Sequence, residues 1–337
     1  MKKWGCLLLA GLIILTASAS FAAYKKEYKL SVVVGPTFKW SIAAQNFADE
    51  VREKTEGRIH IQCYFGGTLF AGVQTNELML MSQGVADFAF GSTINWSPQM
   101  KQLNLFSLPF LFPNYAAFDA VKTGKPGQEI FQMLEKFGVV PLAWAENGFR
   151  EVTNNKRAIA VPEDMKGLKI RIVGSPIFVD LFRAFGADPM AINWSEAVTG
   201  FQQGTVDGQE NPVVSVLFPL QIWQYHNHIT IWRATIDPLI IGVSKKSWDE
   251  FTPEDQAIVK AAAEKWGAWQ IAEVRKGLAD SDEAFKELEA NGMTVTHITP
   301  EALAAFKTQS KDVYAKWKET VGADLVEATE AIVQQYE

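Results

Sequence analysis

The sequence predicts an α/β protein built on doubly wound, mainly parallel sheet. Three observations carry that prediction. Short apolar stretches alternate with amphipathic helical segments along most of the 337 residues, which is the order that lays parallel strands side by side with helices on both faces. Polar and glycine-rich clusters recur where those apolar stretches end, the edge at which open α/β sheets bind ligands. Two long amphipathic segments close the chain, and about 300 residues after the leader are enough for two domains.

The leader is the first element. Residues 1–22 carry a basic tip, Lys2 and Lys3, an apolar run from Leu7 to Leu15, and a small-residue exit, Ser18-Ala19-Ser20-Phe21-Ala22. This is the pattern of a secretory signal peptide cut near Ala22 or Ala23. The apolar run is well short of the ~20 residues that span a bilayer, so no membrane insertion of the mature chain is expected. Cys6 precedes the apolar run, a poor place for lipid attachment. Cys63 is then the only cysteine left, which excludes an internal disulfide.

The mature chain opens with a buried strand at Tyr28–Val34 and a turn at Gly35-Pro36. A helix is predicted over Ser41–Lys54, with Ala44, Phe47, Ala48 and Val51 on one face. Gly57 ends it. Strand Ile59–Tyr64, helix Thr75–Gln83 and strand Asp87–Phe90 follow. The loop Gly91-Ser92-Thr93-Ile94-Asn95-Trp96-Ser97-Pro98 leaves that strand at its C-terminal end, which makes Ser92, Asn95 and Trp96 candidates for a pocket lining. Phe38 and Trp40, just after the first strand, are candidates on the same ground. A tryptophan at such an edge serves equally well as a cover for the core. Helices Tyr115–Lys122 and Gly127–Phe137 lead into strand Val139–Ala145, whose polar exit is Glu146-Asn147-Gly148-Phe149-Arg150.

From Glu151 a second αβ series begins. Lys169-Ile170-Arg171-Ile172 reads as a short strand with an arginine near its end, and Ser175-Pro176 as the N-cap and first residue of a helix to Phe185. A guanidinium and a helix N-terminus so placed can act on one anion. Trp194-Ser195-Glu196 opens the next helix. Gly204-Thr205-Val206-Asp207-Gly208-Gln209-Glu210-Asn211-Pro212 holds one apolar residue among turn formers, carboxylates and amides, so it cannot fill a core. It reads as a helix exit at Gly204, a short strand, and a stop at Pro212. Its carboxylates serve equally as helix caps, and Arg171 as a surface charge. The chain returns through an apolar strand, Thr235–Val243. Its two closing helical segments are Pro253–Leu288, with a stripe of Ile258, Ala262, Trp266, Trp269 and Ala272, and Pro300–Tyr336, with Leu303, Phe306, Val313, Trp317 and Val321.

Taken together, Gly148-Phe149-Arg150, Pro162 through Arg171, Ser195-Glu196 and Val206 through Pro212 resemble, in order and near spacing, the extracytoplasmic solute-binding proteins of TRAP transporters (DctP type). Leu108-Pro109-Phe110 and Glu53 through Arg58 match the same family's early pattern. The resemblance implies a two-lobed, periplasmic-binding-protein-like fold, each lobe a central sheet flanked by helices, with the long C-terminal helices bracing both. Lobe I would comprise residues 23–148 and 236–276, lobe II residues 149–235 and 277–337. It further implies a periplasmic monomer that captures a small organic anion, most often a carboxylate, and hands it to a membrane permease by closing its lobes. Arg171 would form the main ion pair with the ligand acid, assisted by Arg150 and Asn211, with Trp194 packed over the ligand. Phe38, Trp40, Ser92, Asn95, Trp96, Asn147 and Glu210 complete the expected ligand-binding set, and the aromatic walls favour a short acid over a long polyol acid.

Composition excludes other classes. The formal charge of −6, which becomes −8 once Lys2 and Lys3 leave with the leader, gives no general attraction for nucleic acid. The chain has no H-E-x-x-H, G-x-S-x-G, C-x-x-C or P-loop. His226 and His228 place two imidazoles on one strand without a third ligand nearby in sequence, so neither a metal nor an organic cofactor is expected. Two other readings of the same cleft are an enzyme acting on a small acid through Glu146 or Glu210, and a ligand-sensing subunit.

Overall fold

The computed structural model describes residues 24–279 and 281–336; the predicted leader lies outside them. Among the described residues nine strands form one continuous mixed sheet: β1 (Tyr28–Ser31), β2 (Ile61–Tyr64), β3 (Phe88–Ser92), β4 (Val139–Asn154), β5 (Lys169–Ile172), β6 (Asp188–Ala191), β7 (Gly208–Asn211), β8 (His228–Ser244) and β9 (Thr294–His297). The order is β2-β1-β3-β8-β4-β7-β5-β6, with β9 on the free side of β8.

Two long antiparallel strands, β4 and β8, are the axis. At one end β3 pairs with the last residues of β8, and β1 and β2 continue in parallel from it. At the other end β7 pairs with Glu151–Asn154 of β4, and β5 and β6 continue in parallel. Each wing is thus a small parallel sheet covered by helices, and two strands of the sheet, β4 and β8, run from one wing to the other. This is the two-lobed architecture that the sequence predicts.

The crossings are longer than expected. The polar run Glu146–Arg150 reads as a strand exit, yet it continues β4, because burial there is matched by pairing. Glu146 is fully buried, held by Arg275 and by Lys122 at 3.5 Å, and its backbone N–H bonds Gln270 Oε1 at 2.8 Å. Register shifts break the β4–β8 ladder at Pro141/Ala143, Glu146/Gly148 and Arg150/Val152. Gly148 takes a φ of 116°, which a side chain rarely adopts. β8 likewise begins at His228 instead of Thr235. His226 precedes it, so the expected pair of imidazoles on one strand does not form.

Each of the two closing segments breaks at a glycine. The first is helical over Pro253–Arg275 and Glu283–Ala290, with Gly277 at φ 71° between them; the second over Pro300–Val321 and Ala323–Val333, split by Gly322 at φ 118°. The buried face of Pro253–Arg275 is also rotated from the predicted stripe. Val259, Ala262, Ala263, Gly267 and Gln270 are inside, while Trp266 and Trp269 are half-buried and stack edge to face at 5.7 Å. The cause is close approach: a Cβ on Gly267 would sit 2.5 Å from the Trp144 carbonyl of β4. Small residues let the helix lie on the crossing strand. The stripe of Pro300–Val321 is as predicted for Phe306, Val313, Trp317 and Val321, which are buried, while Leu303 is half-buried. Among the described residues no helix is long and apolar enough to cross a membrane.

Candidate functional site

Strand ends from both wings converge beside the crossings on one partly open cavity, with about 320 Å³ of atom-free space counting its mouth. The wing of β1 and β3 contributes Val33, Val34, Trp40, Gln74, Ser92 and Asn95; the other wing contributes Arg171, Val173, Trp194 and Asn211. Asn147, Arg150 and Asp237 come from β4 and β8 themselves.

Arg171 lies in β5 and is 1% exposed. Its Nε donates to the Ile192 carbonyl at 2.9 Å and its guanidinium sits 5.7 Å from the Trp194 ring, but buried Nη2 has no partner. Burial pulls its pKa down to about 10. A buried charge with an unpartnered donor, on a residue that lines a cavity, is the arrangement an anion completes.

Arg150 differs. Its Nε and Nη2 grip the Glu210 carboxylate, Nη2 also reaching the Glu210 carbonyl at 2.9 Å, and Nη1 lies 3.5 Å from Asp237 Oδ2. Burial opposes its charge, but the two carboxylates hold its pKa above the ordinary value. Burial raises both acids, and Arg150 pulls them back.

Asn211 is oriented by a buried chain. Its Nδ2 donates to Gln209 Oε1, Gln209 Nε2 donates to Thr153 Oγ1 at 2.8 Å, and Thr153 Oγ1 lies 2.8 Å from His226 Nδ1. Burial takes the His226 pKa down to about 4, so the ring is neutral, and its tautomer sets which of Nδ1 and the Thr153 hydroxyl donates. The Asn211 carbonyl and its second amide hydrogen are left for the cavity.

The walls close across the wings through Gln74. Its Nε2 donates to Asn95 Oδ1 at 2.7 Å, and its Oε1 accepts from the Trp194 backbone N–H at 2.7 Å. Ser97 and Ser175 hydroxyls meet at 2.8 Å, and Phe38 packs edge-on against Trp194 at 6.1 Å. Trp40 Nε1 is spent on the Phe90 carbonyl at 2.6 Å, so Trp40 offers the cavity its ring.

Eight of the eleven expected residues therefore line one cavity: Arg171, Arg150, Asn211, Trp194, Trp40, Ser92, Asn95 and Asn147. Three do not. Trp96 is fully buried behind β3, its indole N–H donating to Glu77 at 2.9 Å and its ring against Gly91, where a Cβ would fall 1.9 Å from it. Phe38 backs Trp194, and Glu210 backs Arg150. Neither Glu146 nor Glu210 lines the cavity, and both are tied up by arginines. Sequence reasoning missed Gln74, Asp237 and the valines. The one available signal was Asp237 itself, the only acid in the strand Thr235–Val243.

Comparison with known proteins agrees with this geometry. The family model of the bacterial extracellular solute-binding proteins, family 7 (DctP), matches residues 30–320. A 2,3-diketo-L-gulonate-binding periplasmic protein of Escherichia coli is 29% identical over 330 residues, 97% of each chain. A solute-binding protein of Verminephrobacter eiseniae is 33% identical over 280 residues, 81% of this chain and 80% of the other. Among solved structures, a TRAP periplasmic solute-binding protein of Ralstonia eutropha, with (S)-2-acetolactate bound, superposes with a TM-score of 0.91 at 49% identity, covering 93% of this chain and 100% of that one. A TRAP protein of Sulfurospirillum deleyianum with bound succinate gives 0.82 at 26% identity, covering 91% and 98%. The chain belongs to the bacterial extracellular solute-binding proteins of family 7, the solute-binding components of TRAP transporters.

Proposed function

We propose that the protein captures a short hydroxy- or oxo-carboxylic acid in the periplasm and presents it, in a closed form, to a membrane permease. The observation that carries this reading is Arg171, a buried guanidinium with an unpartnered Nη2 on a residue that lines the cavity beside Trp40, Trp194 and valines. The ligand carboxylate takes that donor, and Asn211 offers an amide hydrogen to the acid or its carbonyl to a neighbouring hydroxyl. Trp40, Trp194 and the valines exclude water and cover the ligand's carbon skeleton. The acetolactate bound in the relative at 49% identity supports the size and class.

Closure is rotation about β4 and β8. Residues 23–148 with 236–276 move as one lobe, and residues 149–235 with 277–337 as the other. A ligand that touches both lobes binds only the closed form and so shifts the population toward it. The ligand leaves unchanged, since the acids once considered as bases are already engaged. A thermal-shift screen of organic acids tests the reading, because a ligand that binds only the folded state raises its apparent stability. Short 2-hydroxy and 2-oxo acids are expected to raise the melting temperature. A response confined to long sugar acids, or recovery of a converted product, would refute it.

A further inference from the structure

We propose that Asp237 is a specificity residue that restricts the site to ligands carrying a single carboxylate. The inference rests on the carboxylate reading above and carries it one step further. Asp237 lies on β8 opposite Gly148 of β4, is 1% exposed, and lines the cavity. Ser92 Oγ donates to it, 2.8 and 2.9 Å from its two oxygens; Asn147 Nδ2 donates at 2.9 Å and Thr93 Oγ1 at 3.3 Å. Arg150 Nη1 is 3.5 Å away. Such a set of donors holds the carboxylate in place and works against the burial that raises its pKa.

The consequence is a charge count. The charged residues lining the cavity are Arg150, Arg171 and Asp237, and Glu210 stands directly behind Arg150. Two carboxylates share the Arg150 guanidinium, so its charge is more than matched before a ligand arrives. Arg171 is the one cation of the lining that no acid contacts at salt-bridge distance. One ligand carboxylate meets it. A second would enter the same small, dry space with no free cation and with the Asp237 charge beside it, and like charges repel strongly there. A ligand whose second polar group is a hydroxyl or a ketone escapes that repulsion.

A matched pair of ligands tests this. In 2-hydroxy-2-methylmalonate a carboxylate replaces the acetyl group of 2-acetolactate at nearly constant shape. Calorimetric titration of the wild-type protein is expected to favour acetolactate by about a hundredfold or more. Asp237→Asn, which frees Arg150 Nη1 for a second acid, is expected to narrow that ratio to within about tenfold, chiefly by tighter dianion binding. Asp237→Ser, also neutral, gives the same readout if the asparagine variant does not fold. Asn147→Leu removes one donor but no charge, and should weaken both ligands alike. Equal wild-type affinities, or an unchanged ratio in both Asp237 variants, would overturn the assignment while leaving the carboxylate reading intact. If no short carboxylic acid binds the wild type, or Arg171→Ala binds the ligands as wild type does, the carboxylate reading fails and this proposal falls with it.

Discussion

The Arg171 guanidinium is held dry with one hydrogen bond to protein and an unpartnered Nη2, so the empty site carries a charge that the fold opposes. The magnitude follows from its titration. Burial lowers the pKa from the ordinary arginine value to about 10, and at about 1.4 kcal/mol for each pH unit that fall corresponds to roughly 3 kcal/mol. The sign is that of a base depressed by folding. The folded state binds the proton less well than the unfolded chain, so the full cost applies below about pH 10 and disappears only where the unfolded arginine also loses its proton. Replacement by methionine removes the charge and keeps much of the length and apolar stem. It also forfeits the bond to Ile192, worth about 1 kcal/mol. The ligand-free Arg171→Met protein is therefore expected to be more stable by ~1–2 kcal/mol, a rise of about 2–5 °C in melting temperature for a chain of this size. The same change should cost ~2–5 kcal/mol in binding, tens- to thousands-fold. Calorimetric unfolding without ligand at pH 7.5, followed by titration of the same sample, reads both effects. A ligand-free variant less stable than wild type would refute the reasoning, since it would mean that Arg171 already has its partners.

Three other outcomes follow from the same kind of argument. Gln74→Ala removes both bonds that join Asn95 to the Trp194 backbone, and should weaken binding about 5- to 30-fold, mainly through faster release; unchanged dissociation in stopped-flow would contradict a clasp role. Burial raises the Glu77 pKa from 4.5 to about 7 against the pull of Ser31 and Trp96, so its ionisation destabilises the fold progressively between those values. Glu77→Gln, which can still bond both partners, should be more stable than wild type by ~1–3 kcal/mol at pH 8, with the difference vanishing near pH 4.5 in denaturant titrations at the two values. Gly91→Ala would drive a Cβ into the buried Trp96 ring at 1.9 Å, and is expected to lose ~2 kcal/mol or more by thermal unfolding; a neutral result would show that Trp96 can move aside.

What the sequence made legible follows local chemistry. The strand Lys169–Ile172 is found as read, and Gly204 adopts φ 65° at the helix exit where a glycine was required. Arg171, Arg150 and Asn211 come together because the motifs fix their places on adjacent strands β5, β4 and β7. What was illegible depends on partners distant in the chain. Glu146 to Arg150 is too polar for a strand interior unless Arg275, Lys122 and Glu210 neutralise it. Trp96 sits where a loop tryptophan should line a pocket, yet Glu77, 19 residues earlier, captures its N–H and turns it into the core. Trp266 and Trp269 advertise a buried face, but the helix docks on Gly267 and Gln270, since only a small residue allows contact with β4. Asp237 was hidden by its apolar neighbours.

The central claim is that Arg171 receives the ligand's carboxylate, and Arg171→Lys tests it most directly. Lysine keeps the positive charge but loses the planar fork that pairs with a carboxylate. Isothermal titration of (S)-2-acetolactate, or another short 2-hydroxy or 2-oxo acid found by the screen, into wild type and Arg171→Lys would measure that loss alone. Saturable one-to-one binding to wild type and at least about thirtyfold weaker binding to the lysine variant are predicted. Equal affinities would contradict the account.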